Sequence, residues 1–266
     1  MRKWMGLAIC VVVLAAAQSP ALAQRVAAEP NWTGTYAGLS IGGRVVDSMW
    51  SSTNIAPTLA ANLSNDPVSS APINSVAPRF SAYAGYNWLV ARNWIGGVEA
   101  DVGWASNRGS RTPMPGTVQF DFLNVIQYAN QPTATVSASW DASLRGRIGH
   151  LVRPDTLVFG TTGIAFQHVE LNGRCPAAGG ATDWCTRLHN ETVSSTRLGW
   201  TPGAGVERMI GKWIMRGEYR YADFGTFRHT FFTFDTTVPF DDRLTANVAV
   251  RTHTATLGVA YKFGNR

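Results

Sequence analysis

VSASWDASLRGRI, residues Val136–Ile148, alternates with a period of two. Val136, Ala138, Trp140, Ala142, Leu144, Gly146 and Ile148 fall on one face of an extended chain. Ser137, Ser139, Asp141, Ser143, Arg145 and Arg147 fall on the other. Successive side chains of a strand point to opposite sides, so the stretch reads as a strand with an apolar face and a charged face.

The pattern recurs along the chain. Thr33–Val45 sets Leu39, Ile41 and Val45 against Ser40 and Arg44, and Phe80–Val90 sets Phe80, Tyr86 and Trp88 against Ser81, Gly85 and Asn87. Next, Trp94, Val98, Ala100, Val102 and Trp104 oppose Glu99 and Asp101. Thr156–His168 is partly apolar on both faces, which leaves its facing open. Ser195–Glu207 sets Leu198, Trp200, Ala204 and Val206 against Thr201, Gly203, Gly205 and Glu207. Pro202 has no N–H to give a ladder, which marks a bulge or irregular strand there. Trp213, Met215, Gly217, Tyr219 and Tyr221 oppose Arg216, Glu218 and Arg220; Leu257, Val259, Tyr261 and Phe263 oppose Thr256, Gly258 and Lys262.

A soluble β-sandwich would alternate too. Its core, however, would need neither Trp and Tyr near both strand ends nor full charges at mid-strand on the opposite face. The connections also alternate in length. Residues 47–78, 106–133, 169–192 and 224–247 are long; 91–93, 150–155 and 209–212 are short. The expected fold is all-β: an eight-stranded antiparallel up-and-down transmembrane β-barrel with four long outer loops and three short periplasmic turns.

The N-terminus sets the compartment. Arg2 and Lys3 precede an uncharged apolar run, Met5–Ala17, and Ala21-Leu22-Ala23 offers a signal-peptidase site. That run is too short to cross a bilayer as a helix, which takes roughly 20 residues. The expected organisation is a cleaved signal peptide over 1–23, a short periplasmic lead-in over 24–31 and the barrel over 32–266. Cys10 reads as a core residue of the signal. The net charge of +6 is scattered rather than striped, which argues against a nucleic-acid partner and fits anionic lipid headgroups better. Ten Trp, twelve Phe and seven Tyr suit aromatic girdles at two membrane interfaces.

WTGTYAGLSIGG (Trp32–Gly43), AGYNW (Ala84–Trp88), LRGRIG (Leu144–Gly149), EYRYADFG (Glu218–Gly225) and LGVAYKF (Leu257–Phe263) resemble the porin-family outer-membrane β-barrel proteins. The nearest type is that of alphaproteobacterial surface proteins related to the OmpA and OmpX barrels. The resemblance covers nearly the whole mature chain. It implies an eight-stranded barrel in the outer membrane of a Gram-negative bacterium, no enzymatic role, and assembly by the barrel-assembly machinery through the C-terminal strand. The chain departs from the family in running three residues past Phe263. It also lacks the peptidoglycan-binding domain that follows the barrel in OmpA, so wall anchoring is not implied.

In this register Glu99, Asp101, Asp141, Glu207 and Glu218 face the barrel interior with Arg145, Arg147, Arg216 and Arg220. An eight-stranded barrel is only wide enough for side chains to fill it, so a lumen charge network that neutralises itself and plugs the pore is expected. A narrow ion path through the same charges is the competing reading. Cys175 and Cys185, in the third long loop, form an even pair in an oxidising compartment and are expected to be bridged. The five scattered histidines select no haem or metal site, and no cofactor is expected. A lipid A deacylase would show His and Ser two apart, but Ala255 follows His253 at that spacing; Asp241-Asp242 reads as a solvated loop pair. Ten residues of tilted strand from Phe263 reach His253 after about 23 Å, close to the height of the apolar band. His253 and Arg251 are therefore expected at the outer headgroups, where Arg251 could meet lipopolysaccharide phosphate. The functional expectation is a structural, interfacial barrel that stabilises the envelope and presents surface loops. A small porin-like diffusion channel and a surface adhesin or haem-binding receptor are the alternatives. The sequence leaves oligomeric state open.

Overall fold

A computed structural model describes residues 30–55, 69–117, 120–121, 124–125, 131–176, 187–233 and 243–264. The expected signal peptide, most of the lead-in, Cys185 and Asp241-Asp242 lie outside the described residues.

The described chain is all-β: β1 (Gly34–Ile55), β2 (Ser70–Pro72), β3 (Ser75–Ala91), β4 (Trp94–Arg111), β5 (Phe120–Asp121), β6 (Asn124–Val125), β7 (Thr133–Arg153), β8 (Thr156–Pro176), β9 (Leu188–Trp200), β10 (Gly203–Ile210), β11 (Trp213–Phe231) and β12 (Leu244–Lys262). Every pairing is antiparallel. β1 lies between β12 and β3, and β4, β7 and β8 follow. β8 pairs with β10 through Thr156–Thr161 and with β9 through Ile164–Pro176. β10 then pairs with β11, and β11 with β12.

The sheet closes on itself. Partners can be followed from Trp94 on β4 to His150, Val158, Val206 and Gly217. The path continues through Leu257, Ile41 and Phe80 and returns to β4 at Trp104, ten residues further along. Closure with such a stagger tilts the strands and leaves no free edge along this circuit.

The alternation read from sequence sets the faces through the middle of the sheet. Leu39, Ile41, Val98, Leu144, Ile148, Val158, Val206, Leu257 and Val259 are exposed on the outside, while Arg44, Glu99, Asp101, Arg145, Arg147, Glu207, Arg216, Glu218 and Arg220 are buried within. β8, whose facing was open, turns Leu157, Phe159, Thr161, Ala165 and Gln167 inward. Thr201 and Pro202 leave the ladder between β9 and β10. Their backbone is satisfied sideways: Thr201 N–H donates to Gly163 O (2.9 Å), and Pro202 O accepts from Tyr221 N–H (3.0 Å). The short connections are two-residue turns at Arg92-Asn93, Pro154-Asp155 and Gly211-Lys212. Gly211 sits at φ 65°, where a side chain would strain the turn.

Two expectations need correction. Val136 and Ala138 do not share the outer face with Leu144 and Ile148; they are buried inside. The β7 register shifts between Ala138 and Asp141, and one extra residue in a strand swaps the faces beyond it. The long loops are also shorter than the residue ranges 47–78, 106–133, 169–192 and 224–247 suggest. β1 runs on to Ile55, β4 to Arg111, β8 to Pro176 and β11 to Phe231, while β12 starts at Leu244. These extensions form because their inward faces are apolar and pack together, with Val46, Trp50, Val136, Val169, Leu171, Phe227, Phe231, Leu244, Val248 and Val250 all buried.

Candidate functional site: the ion-paired interior

The interior is layered along the axis. On the short-turn side Trp32, Tyr36, Tyr83, Ile95, Leu157, Phe159, Met209 and Ile214 form an apolar layer. The extensions form a second one at the loop side. Arginines and carboxylates occupy the space between them.

The charges fall into two groups. Toward the turns, Glu99 binds Arg145 (2.5 Å) and Arg216 (2.5 Å), with Arg147 at 3.6 Å. Glu207 binds Arg147 (2.7 Å) and Arg216 (2.5 Å), and Glu218 pairs with Arg145 and Arg216. Tyr36 ties this group to the apolar layer: its hydroxyl donates to Glu99 (2.7 Å) and accepts from Arg147 (2.7 Å). The Arg147 guanidinium lies 4.3 Å from the Phe159 ring centre, and that of Arg216 lies 4.3 Å from Tyr83. The guanidinium groups thus pair with carboxylates while also lying over aromatic rings, a combination that suits arginine better than lysine.

Toward the loops, Asp141 receives Arg44 (2.7 Å) and Arg79 (2.5 Å), and Asp101 receives Arg79 (2.8 Å) and Arg220 (2.7 Å). Arg44 also clamps the β7 bulge. Its Nη2 donates to Ala138 O (2.8 Å) and Ser139 O (2.8 Å), and Gln167 Nε2 donates to Trp140 O (2.9 Å). Carbonyls turned out of the ladder by the extra residue are thereby satisfied. Arg79 lies against Gly103, where any side chain would collide with the guanidinium. The structure thus brings together Glu99, Asp101, Asp141, Arg145, Arg147, Glu207, Arg216, Glu218 and Arg220. Sequence reading missed two partners. Arg44 was placed on the right face but outside the cluster, and Arg79 lies one residue before the point where its strand was expected to start.

The outer face carries the other expected residues. Arg251 is exposed and its Nε donates to Asp223 (3.1 Å). His253 Nδ1 lies 2.7 Å from the Tyr219 hydroxyl, and its Nε2 lies 3.4 Å from Asp47. Asp155, in a short turn, is held below the usual carboxylate range by the Thr156 hydroxyl and by Arg208. Cys175 is buried and disulfide-bonded.

Outside, large apolar residues form a continuous belt. Trp94 and Trp104 are both exposed on β4, ten residues apart, which at the tilt of a closed sheet spans about 25 Å. Trp88, Trp213 and Phe263 join the turn-side rim; Phe80, Phe166 and Trp200 join the loop-side rim. Residues 8–263 match the model of the outer membrane protein beta-barrel domain. The chain belongs to that family. It is an integral protein of the bacterial outer membrane, of the alphaproteobacterial type, and the belt is its lipid-facing surface. The 31 kDa outer-membrane immunogenic protein of Brucella melitensis is 26% identical over 236 residues, covering 88% of this chain and 84% of the relative. Among solved structures, Ail, the attachment invasion locus protein of Yersinia pestis, aligns over 86% of this chain and 99% of its own at 12% identity and a TM-score of 0.35. The outer membrane protease OmpT of Escherichia coli aligns over 86% and 96% at 7% identity and a TM-score of 0.48.

Proposed function

We propose that this protein is a closed, non-conducting and non-enzymatic barrel of eight staves that stabilises the outer membrane and presents four surface loops. β9 and β10 count as one stave interrupted at Thr201-Pro202; β1, β3, β4, β7, β8, β11 and β12 supply the others. Eight staves with a ten-residue offset correspond to a strand tilt of about 40°, within the usual range for barrels. The names of the Brucella relatives, all outer-membrane immunogenic proteins, support a surface role over a catalytic one.

The observation that carries this reading is the filled interior. Ion pairs span the lumen, and apolar layers close it above and below. Among the described residues, the cavities beside Asp141 and Arg220 and beside Arg79 and Arg145 measure about 20 and 10 Å³, far below a diffusion path. Planar-bilayer recording of the purified protein should therefore show no stable large conductance. Regular openings of general-porin size would instead support the diffusion channel.

The remaining assignments belong to the same reading. Residues 1–23 are removed on export, 24–31 lead in from the periplasm, and 32–266 form the barrel, delivered by the barrel-assembly machinery through its last strand. Cys175 pairs with Cys185. Arg251 meets lipopolysaccharide phosphate, supported by its exposed outward position ten or more residues above the Phe263 rim. Asp223 competes for the same guanidinium, so the contact is shared rather than free. Arg251→Ala should weaken lipopolysaccharide retention by the purified barrel, most visibly at low salt, where screening is least. Unchanged retention at low salt would remove Arg251 from the contact.

A further inference from the structure

The two charge groups differ in balance. Toward the turns, Arg145, Arg147 and Arg216 face Glu99, Glu207 and Glu218, three against three. Toward the loops, Arg44, Arg79 and Arg220 face only Asp101 and Asp141. Among the described residues the network therefore carries one arginine more than it has carboxylates. Lys262, also buried, lies at the turn-side mouth near Lys212 and adds positive charge rather than offsetting it. An uncompensated buried charge is strongly destabilising even after relaxation.

A cavity of about 10 Å³ lies at the junction of the two groups. Arg79, Arg145, Arg216 and Arg220 line it, with Asp101 and Glu218. Two further features point into its chemistry. Arg145 uses Nη1 on Thr161 and Glu218 and Nη2 on Glu99, yet among the described residues its Nε has no hydrogen-bond partner. The hydroxyl of Tyr83, also a wall residue, has none among them either. Arg145 is 2% exposed and Tyr83 5%, so bulk water does not serve them. The Nε is a donor only, and the phenol can donate. The wall also holds the Ser40–Ser81 hydroxyl pair, 2.5 Å apart, one of whose hydrogens can turn toward the cavity.

We propose that this cavity binds one halide-sized monovalent anion, which completes the lumen's charge balance. A water molecule would fill the same space and accept the two donors, but it would leave the extra arginine uncompensated. A cavity this small takes a single small ligand and excludes a polyatomic anion. The site sits between the two groups, so the bound anion joins them into one neutral network.

Crystals of the full-length mature barrel grown in bromide should give an anomalous peak between Tyr83 Oη and Arg145 Nε. Unfolding of the same protein in bromide, against gluconate at matched ionic strength, should follow one-site linkage. Above the dissociation constant, each tenfold rise in bromide should raise the folded-to-unfolded ratio about tenfold. Ser81→Asp places a carboxylate on the cavity wall and should abolish that dependence. Tyr83→Phe removes one donor with little change of shape and should weaken the dependence while keeping the fold, so a misfolded Ser81→Asp does not end the test. Density at the cavity without an anomalous signal identifies water and overturns the proposal. A bromide response equal to wild type in the folded variants would reflect surface binding and overturn it as well.

Discussion

Glu99→Ala should lower the stability of the refolded barrel by about 3–5 kcal/mol, the usual loss when one partner is removed from a buried ion pair. Glu99 has more than one partner: Arg145, Arg216 and Arg147 share its two oxygens, and Tyr36 donates to it. Removing it leaves three arginines against two carboxylates in the turn-side group, beneath a loop-side group that already carries excess positive charge. Tyr36, Ile95 and Phe159 pack together on the turn side of it and offer no replacement charge. Urea unfolding in lipid vesicles would measure the difference. The comparison is Asp155→Ala, which removes the exposed pair with Arg208 in a short turn and should change stability by no more than about 1 kcal/mol. Similar small losses in both variants would mean that the lumen charges are solvated and that the barrel is not plugged.

Much of this arrangement was legible because a closed barrel makes period-two alternation strict. Each strand between the aromatic rims must show lipid one face and the lumen the other, so Leu144 and Arg145 announce their sides without any knowledge of their neighbours. The cross-strand pairing of the charges needs registers, which depend on turn lengths and could be read only as a shared interior. What failed did so where alternation itself stops. At Ser139-Trp140 an extra residue swaps the faces of β7, and nothing in the local composition marks it; its stabilising partner, Arg44, lies almost one hundred residues away in sequence. Arg79 escaped because Pro78 made the start of its strand look like the end of a loop. The strand extensions escaped for a different reason. Ser, Asn, Ala and Pro between Asp47 and Pro78 read as loop, while the order of 47–55 comes from Trp50 and Ile55 packing against distant strands.

Those extensions lead to the second large effect, expected for Trp50→Ala. The indole is fully buried, stacked on Phe231 with ring centres 5.3 Å apart, and its Nε1 donates to Ser52 (3.3 Å). Truncating a buried Trp costs about 3–5 kcal/mol through lost contacts and the cavity left behind. The loss should be local. The loop-side layer stands beyond the bulges of β7 and β11, above the aromatic rim, where lipid no longer confines the wall. There β9 and β11 share only the Asp223–Trp200 ladder pair. Above it they are joined by side chains, with His229 on Glu191 (2.8 Å) and Arg197 over the Phe227 ring (4.0 Å). Packing, more than backbone hydrogen bonding, therefore holds this seam, and packing is what the substitution removes. Local opening exposes backbone in proportion to the population of the open state when closing is fast. A loss of about 3 kcal/mol thus predicts trypsin cleavage at the exposed Arg174 and Arg228 roughly two orders of magnitude faster. The membrane-embedded belt should still resist unfolding in unheated detergent gels. Unchanged cleavage would show that the outer layer is not held by this stack, and loss of detergent resistance would show that the two layers fold as one unit.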